Sequence, residues 1–267
     1  MQVETVPCCA SSSQGLSALA LKDFRAPLYN RTHMHHARIA ELLQPFLQDA
    51  NDQRPTAKDA LIEHISTYID ILLRWNARIN LTAIRDPEEI VTRHFGESLF
   101  AARHLFPKLY PVPSVSSVVK DVDVNVANTQ IRLADLGSGA GFPGLPIKLW
   151  APTVALTLIE SNLKKATFLR EVTRALTLTS VDIQNARAET LPPSTLDVVT
   201  LRAVERFVIA LPIAAALLAP RGRLALLISS SQLTTTKTTL PAFTWESPIP
   251  VPGSQSRLLL LSRPQPA

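Results

Sequence analysis

Cysteine is almost missing from this chain: 267 residues include only Cys8 and Cys9, adjacent to one another. Neighbouring cysteines give no disulfide framework and no spaced metal ligands, so a stapled secreted scaffold is excluded and a reducing compartment is expected. Long apolar runs are absent as well. The chain is 46% hydrophobic, but no run approaches the roughly 18 residues that cross a bilayer, so no membrane association is expected. The opening MQVETVPCCASSSQ carries Glu4, no early basic residue and no sustained apolar segment, which makes a poor export signal; the expected location is cytoplasmic. The histidine cluster HMHH at 33–36 reads better as a solvated helix entry than as a metal site, and no metal is expected. Glycine is scarce too, and four of the eight glycines fall in the single stretch RLADLGSGAGFPGLPIKLW, 132–150.

The charge is uneven. Residues 1–130 hold 13 Lys and Arg against 14 Asp and Glu, a net of −1, whereas residues 131–267 hold 14 against 8, a net of +6. The basic half is therefore the half with the glycine stretch, and a basic surface attracts phosphate-bearing partners or simply aids solubility.

Residues 1–36 show no apolar period and read as a disordered tail. Amphipathic helix begins at Ala37, with Ile39, Leu42, Leu43, Phe46 and Leu47 at helical spacing. A longer helix is expected from about Thr56 with a stripe reaching Ile79, then shorter helices over 87–95 and 97–106. This makes a helical unit at 37–107, followed by a proline- and serine-containing linker at 108–130. From 131 to 267 strand and helix patterns alternate. Strands are expected at 131–135, 154–160, 181–185, 196–201 and 223–228, and helices at 143–150, 162–176 and 205–220, the last despite Pro212. Two final strands at 242–247 and 256–263, with no helix between them, predict an antiparallel edge. The polar run SSSQLTTTKTT suggests no element of its own. The fold class is α/β, a Rossmann-like doubly wound sheet with an N-terminal helical extension.

Two templates fit the glycine stretch. Gly139-x-Gly141-x-x-Gly144 satisfies the dinucleotide pattern, with Glu160 about 20 residues on for ribose hydroxyls. Asp135-x-Gly137-x-Gly139-x-Gly141 satisfies the pattern of Rossmann-like S-adenosylmethionine enzymes. A pyrophosphate wants free N–H groups at a helix start and no anion nearby. Asp135 at the strand end would repel it and would suit a cationic amino group, and Pro143 and Pro146 remove donors from the first helical turn. The balance favours the sulfonium cofactor. Glu160, ending the second strand, is the candidate ribose clamp. Ala188 and Glu189 in NARAETL fall where an adenine edge would lie. Arg202, after the apolar strand LDVVTL, is either a partner of Glu189 or Asp197 or a contact for substrate and cofactor.

Taken together, RWNARINLTAIRDPEEIVTRHFGESL (74–99), ADLGSGAGFPGLPIKLW, LIESNLKKATFLREV, NARAETL and DVVTLRAV resemble the bacterial 16S ribosomal RNA guanine-N7 methyltransferase family, also called the glucose-inhibited division protein B family. The resemblance runs from about Ala57 to the C-terminus. It implies methyl transfer from S-adenosylmethionine to N7 of a guanosine in the decoding region, with 16S rRNA or the small ribosomal subunit as partner; a monomer is expected. It also implies cofactor contacts at Gly137, Phe142, Ala188, Glu189 and Arg202, beside Asp135, Gly139, Gly141 and Glu160 from the motif, with Arg202 the catalytic candidate. Asn76, Asn80, Arg93, His94 and Glu97 match the helical motifs; Asn80, Arg93 and His94 are candidates for substrate, and Asn76 and Asn80 could equally be structural caps.

The chain departs from the family pattern in residues 1–36 and in LLISSSQ, which lacks a Lys-Gly commonly found there, although Lys237 is near. Translation from Met34, or dispensability of residues 1–33, is expected. The competing readings are a nicotinamide-dependent oxidoreductase and a ribosome-binding protein that has lost catalysis.

Overall fold

The computed structural model describes residues 34–47, 59–107 and 130–263. The expected tail (apart from 34–36) and the linker (apart from Gln130) lie outside the described residues. Within them, α1 (His36–Leu47) and α2 (Asp59–Asn76) come first, followed by α3 (Pro87–Glu89). A π-helical turn, Ile90–Gly96, then continues into α4 (Glu97–Leu105). Asp86 starts this segment by accepting the Glu89 N–H at 2.8 Å, and Pro87 at the first helical position loses no needed donor.

The α/β part follows as β1 (Arg132–Leu136), α5 (Gly144–Trp150), β2 (Ala155–Ile159), α6 (Leu163–Ala175), β3 (Val181–Gln184) and β4 (Leu196–Arg202). It ends with α7 (Phe207–Leu217), β5 (Leu218–Ser229), α8 (Gln232–Thr239), β6 (Ile249–Pro250) and β7 (Arg257–Leu261). The seven strands form one sheet in the order β3-β2-β1-β4-β5-β7-β6. β1 to β5 are parallel, and β7 runs antiparallel to both β5 and β6.

Successive side chains of a strand face opposite sides of the sheet, and here both sides are covered. Leu133, Leu158, Val198 and Leu227 pack with α5, α6 and the N-terminal helices, while Ala134, Val199, Leu201 and Leu226 pack beneath α7. The helical extension thus shares one continuous apolar core with one face of the sheet.

Three expectations need correcting. α2 stops at Asn76 rather than reaching Ile79, because the Asn76 amide is used to fold the next turn back. Its Oδ1 accepts from Leu81 N (2.9 Å) and Thr82 N (3.0 Å), and its Nδ2 donates to Thr82 O (3.0 Å). The threonine-rich run after β5 forms α8, although β-branched residues are weak helix formers. Buried Thr236, whose hydroxyl donates to Gln232 O at 2.8 Å, fixes it by tertiary packing. The strand expected at 242–247 is reduced to a single bridge between Trp245 and Ser262; the edge pairing falls at Ile249–Pro250.

Candidate active site

The ends of β1, β2, β3 and β4 open onto a cleft of about 790 Å³, closed on one side by residues of the helical extension. This is the carboxyl edge of the parallel strands, where open α/β sheets bind ligands. The glycine loop that follows β1 is fastened to the end of β2, with Gly137 N and Ser138 N both donating to Ile159 O at 3.0 and 3.1 Å. Gly137, Gly139 and Gly141 all have positive φ, at 71°, 55° and 84°.

Gly139 and Gly141 differ in what surrounds them. A Cβ on Gly139 would meet nothing nearer than Gly137 O at 3.8 Å, so the space in front of this backbone is open cleft. A Cβ on Gly141 would fall 2.6 Å from Leu145 Cδ1 and against the Tyr68 hydroxyl. Gly137, Gly139 and Phe142 line the cleft; Gly141 does not.

Glu160 sits at the mouth, 7% exposed. Its Oε2 accepts from Gly139 N at 2.9 Å and its Oε1 from Asn162 N at 2.7 Å. A carboxylate has about four acceptor positions, so each oxygen keeps one for a ligand. Such an anchored carboxylate suits a pair of vicinal hydroxyls. Ala188, on a short 3-10 turn after β3, is buried and lines the cleft; Glu189 beside it is exposed. Lys165, Arg187 and Arg206 add positive charge to the lining.

Asp135 does not occupy the mouth. It is 1% exposed beneath the loop, where Oδ2 accepts from Gly144 N (3.1 Å) and Oδ1 from the Thr200 hydroxyl (2.9 Å). Burial pushes its carboxyl up to about 6, against the opposing pull of those hydrogen bonds and of Arg202. Strand alternation carries Asp135 onto the face covered by α5, so it joins α5 to β1 and β4 instead of facing a ligand.

The helical extension enters through a stack of rings. Tyr68 donates to Ala140 O at 2.6 Å and stacks on Phe142 at 5.3 Å, and His94 stacks on Phe142 at 4.7 Å. Burial raises the Tyr68 phenol well above its ordinary value, which keeps it a donor to the loop.

Arg202 joins the sheet to the extension. It donates to Glu97 Oε2 from Nε (3.3 Å) and Nη2 (3.1 Å), to Arg93 O from Nη2 (2.7 Å), and to His94 Nδ1 from Nη1 (3.1 Å). Neither Glu189 nor Asp197 is its partner; Asp197 pairs with Arg132 at 2.9 Å. Glu97, 2% exposed at its side chain, also accepts from Arg93 Nε at 3.2 Å. The Arg-His-x-x-Glu motif and the strand-end arginine are therefore one buried cluster. His94 and Arg202 line the cleft, whereas Arg93 and Asn80 do not, and Asn80 is exposed. Asn76 acts as a cap.

Arginine can only donate, so His94 Nδ1 is an acceptor and the ring proton sits on Nε2. Burial, together with Arg202, Arg93 and Arg257, lowers this histidine to about 3. An unfolded histidine titrates near ~6.5, so on acidification the unfolded chain takes up this proton first. The stability that neutral His94 contributes is complete above that value and is lost as the pH falls towards 3. We expect His94→Gln to reduce the acid-side loss of stability by up to about 1.4 kcal/mol per pH unit relative to wild type. Urea unfolding over a pH series measures the two slopes. Asp135 acts in the opposite sense in both proteins and cancels in the comparison; equal slopes would show that His94 is not held neutral.

Thr82 is not among the residues the sequence marks as candidates, yet it lines the cleft and its Oγ1 lies 2.8 Å from His94 Nε2. Its only sequence signal is the Asn-Leu-Thr segment that Asn76 folds back. Among the described residues no group of His, Cys, Asp and Glu is arranged to hold a metal, and no helix is long and apolar enough to cross a membrane.

The strand order, the glycine loop after β1 and the carboxylate ending β2 define the class I methyltransferase fold. The chain belongs to the rRNA small subunit methyltransferase G family, GidB, whose family model matches residues 61–109 and 115–250. Among curated relatives, the ribosomal RNA small subunit methyltransferase G of Xylella fastidiosa strain 9a5c is 42% identical over 139 residues, covering 52% of this chain and 55% of the relative. That of Desulfitobacterium hafniense strain Y51 is 39% identical over 166 residues, covering 60% of each chain. The Halorhodospira halophila protein of the same name is 39% identical over 163 residues, covering 61% of this chain and 67% of its own. The chain spans little more than half the length of the first of these relatives.

Proposed function

We propose that this protein is an S-adenosylmethionine-dependent methyltransferase that modifies N7 of a guanosine in 16S rRNA. Its partner is then the rRNA or the small ribosomal subunit, and the protein acts as a cytoplasmic monomer with a helical unit at 37–107 and a methyltransferase domain at 131–267. The observation that carries this reading is the Glu160 carboxylate anchored by Gly139 N–H, facing an open cleft in a chain of this family. The residues fit the cofactor: open space over Gly139 admits a ligand against bare backbone, and Glu160 retains acceptors for ribose hydroxyls. Ala188 and Glu189, which line the cleft, would hold the base, and Phe142 would wall the reacting end.

Bound here, S-adenosylmethionine supplies an electrophilic methyl group. Guanine N7 carries an exposed, unprotonated lone pair, so attack needs no general base, only alignment and tolerance of a cation forming on the base. The site agrees with that economy. The end of β4 and the residues after it read TLRAV rather than the Asp/Asn-Pro-Pro-aromatic motif used on exocyclic amines. Arg202 is a fixed cation with four of its donors committed to Glu97, Arg93 and His94, suited to positioning and not to proton transfer.

Two results are expected. Glu160→Ala weakens cofactor binding by one to two orders of magnitude in calorimetry, roughly 1.5–3 kcal/mol for hydrogen bonds to a charged acceptor. Small-subunit RNA methylated by this protein breaks at one site after borohydride and aniline, the signature of 7-methylguanosine. Methyl incorporation without cleavage would remove the N7 assignment and leave the transferase.

A further inference from the structure

Resting on the methyltransferase reading, we propose that Thr82 is a hydrogen-bond donor to a reactant in the cleft, its hydroxyl aimed by the neutral ring of His94. The acceptor is an oxygen from one of two sources, the carboxylate of the cofactor or O6 of the target guanine.

The assignment follows from counting donors. Arg202 Nη1 occupies His94 Nδ1 at 3.1 Å, so the ring's single proton is on Nε2 and is donated to Thr82 Oγ1 at 2.8 Å. The same Oγ1 accepts from Ile84 N at 3.1 Å. A hydroxyl has two acceptor positions and one hydrogen. Both acceptor positions are filled, so the oxygen must present its hydrogen outward, and among the described residues no acceptor receives it. Thr82 lines the same cleft as Gly139, Phe142, Glu160 and Arg202. The local fold uses this oxygen only as an acceptor, from Ile84 N and His94 Nε2, while Asn76 satisfies the backbone N–H groups of Leu81 and Thr82, so the hydroxyl hydrogen is left over from folding.

His94 is the positioning residue. Were it protonated, its Nδ1–H would confront Arg202; were it the other tautomer, the threonine would donate to it instead of to the cleft. The buried cluster of Arg202, Glu97 and Arg93 thus fixes the direction of one hydroxyl hydrogen at the reaction site. O6 lies beside N7 on the Hoogsteen edge of guanine, whereas adenine presents a donor there, so a donor at this point would also reject adenine.

The test compares wild type with Thr82→Val, which keeps the shape and removes the hydroxyl, and with Thr82→Ser, which keeps the hydroxyl. Calorimetry uses S-adenosylmethionine and its decarboxylated form; methyl transfer at saturating cofactor uses rRNA carrying guanosine or 2-aminopurine at the target. If the acceptor is the carboxylate, Thr82→Val weakens S-adenosylmethionine binding at least about tenfold and leaves binding of the decarboxylated form unchanged. If it is O6, cofactor affinity stays, transfer to guanosine falls at least about tenfold, and 2-aminopurine costs the variant nothing further. In both cases Thr82→Ser behaves as wild type. Equal losses for both cofactor forms and both bases, the pattern of a merely structural role, would overturn the proposal, as would no loss at all. Should Thr82→Val fail to fold, Thr82→Ala, which also removes the hydroxyl, is read by the same criteria. Wild-type protein without affinity for either cofactor form and without transfer would overturn the methyltransferase reading as well.

Discussion

Gly139→Val is expected to bring cofactor binding below detection while the protein stays folded, and Gly141→Val to unfold it. Both residues have positive φ, so in either variant a side chain strains the backbone, at about 1–3 kcal/mol. The difference lies in front of the Cα. At Gly139 the new side chain enters cleft space where only Gly137 O comes within 3.8 Å, so its steric cost falls on the ligand. At Gly141 it meets Leu145 at 2.6 Å, Leu169 at 3.1 Å and the Tyr68 hydroxyl that holds the loop. Overpacking and strain together cost roughly 2–6 kcal/mol, comparable with the ~5–15 kcal/mol that holds a typical domain folded. Calorimetry and urea unfolding on the two variants separate the effects. Undiminished cofactor affinity in Gly139→Val would place the cofactor elsewhere.

Breaking the Arg202–Glu97 pair should cost more than deleting it whole. Both side chains are nearly buried, at 7% and 2% exposure. Glu97→Ala leaves the Arg202 cation buried without its carboxylate, and removing one partner of a buried pair costs about 3–5 kcal/mol. Replacing both by apolar residues of similar size, Glu97→Leu with Arg202→Met, removes the unpaired charge and should be more stable than Glu97→Ala. Methyl transfer should stay low in the double variant, because His94 loses the donor that sets its tautomer. Arg202→Ala should also slow transfer, without a new ionisation in its pH profile. Urea unfolding of the set measures the coupling; a double variant less stable than Glu97→Ala would show that the pair is not the unit that matters.

The glycine loop, Glu160 and the alternation of strands and helices were legible because each is local. Apolar period distinguishes strand from helix within a few residues, and a glycine loop between them announces a ligand. The antiparallel edge was legible from the missing helix before the last strand, although the strand that pairs with it falls at Ile249–Pro250 and not at 242–247. Short-range pattern failed where a side chain reached across the chain. Asn76 ended α2 early by bonding six residues ahead, and packing gave α8 to a run of threonines with weak helical preference.

By itself, then, the sequence determined the α/β order, the glycine loop and the candidate set of residues. Only the tertiary structure decided which of them meet. Asp135 and Gly141 belong to the same motif as Gly139, yet the pleat of β1 and the packing of Tyr68 turn them into the interior. Arg202 lies more than a hundred residues from Glu97 and His94, and no local pattern records that pairing. Thr82 comes to line the cleft beside the sheet only because folding the extension onto the sheet brings His94 between it and Arg202, where hydrogen bonds occupy both ring nitrogens.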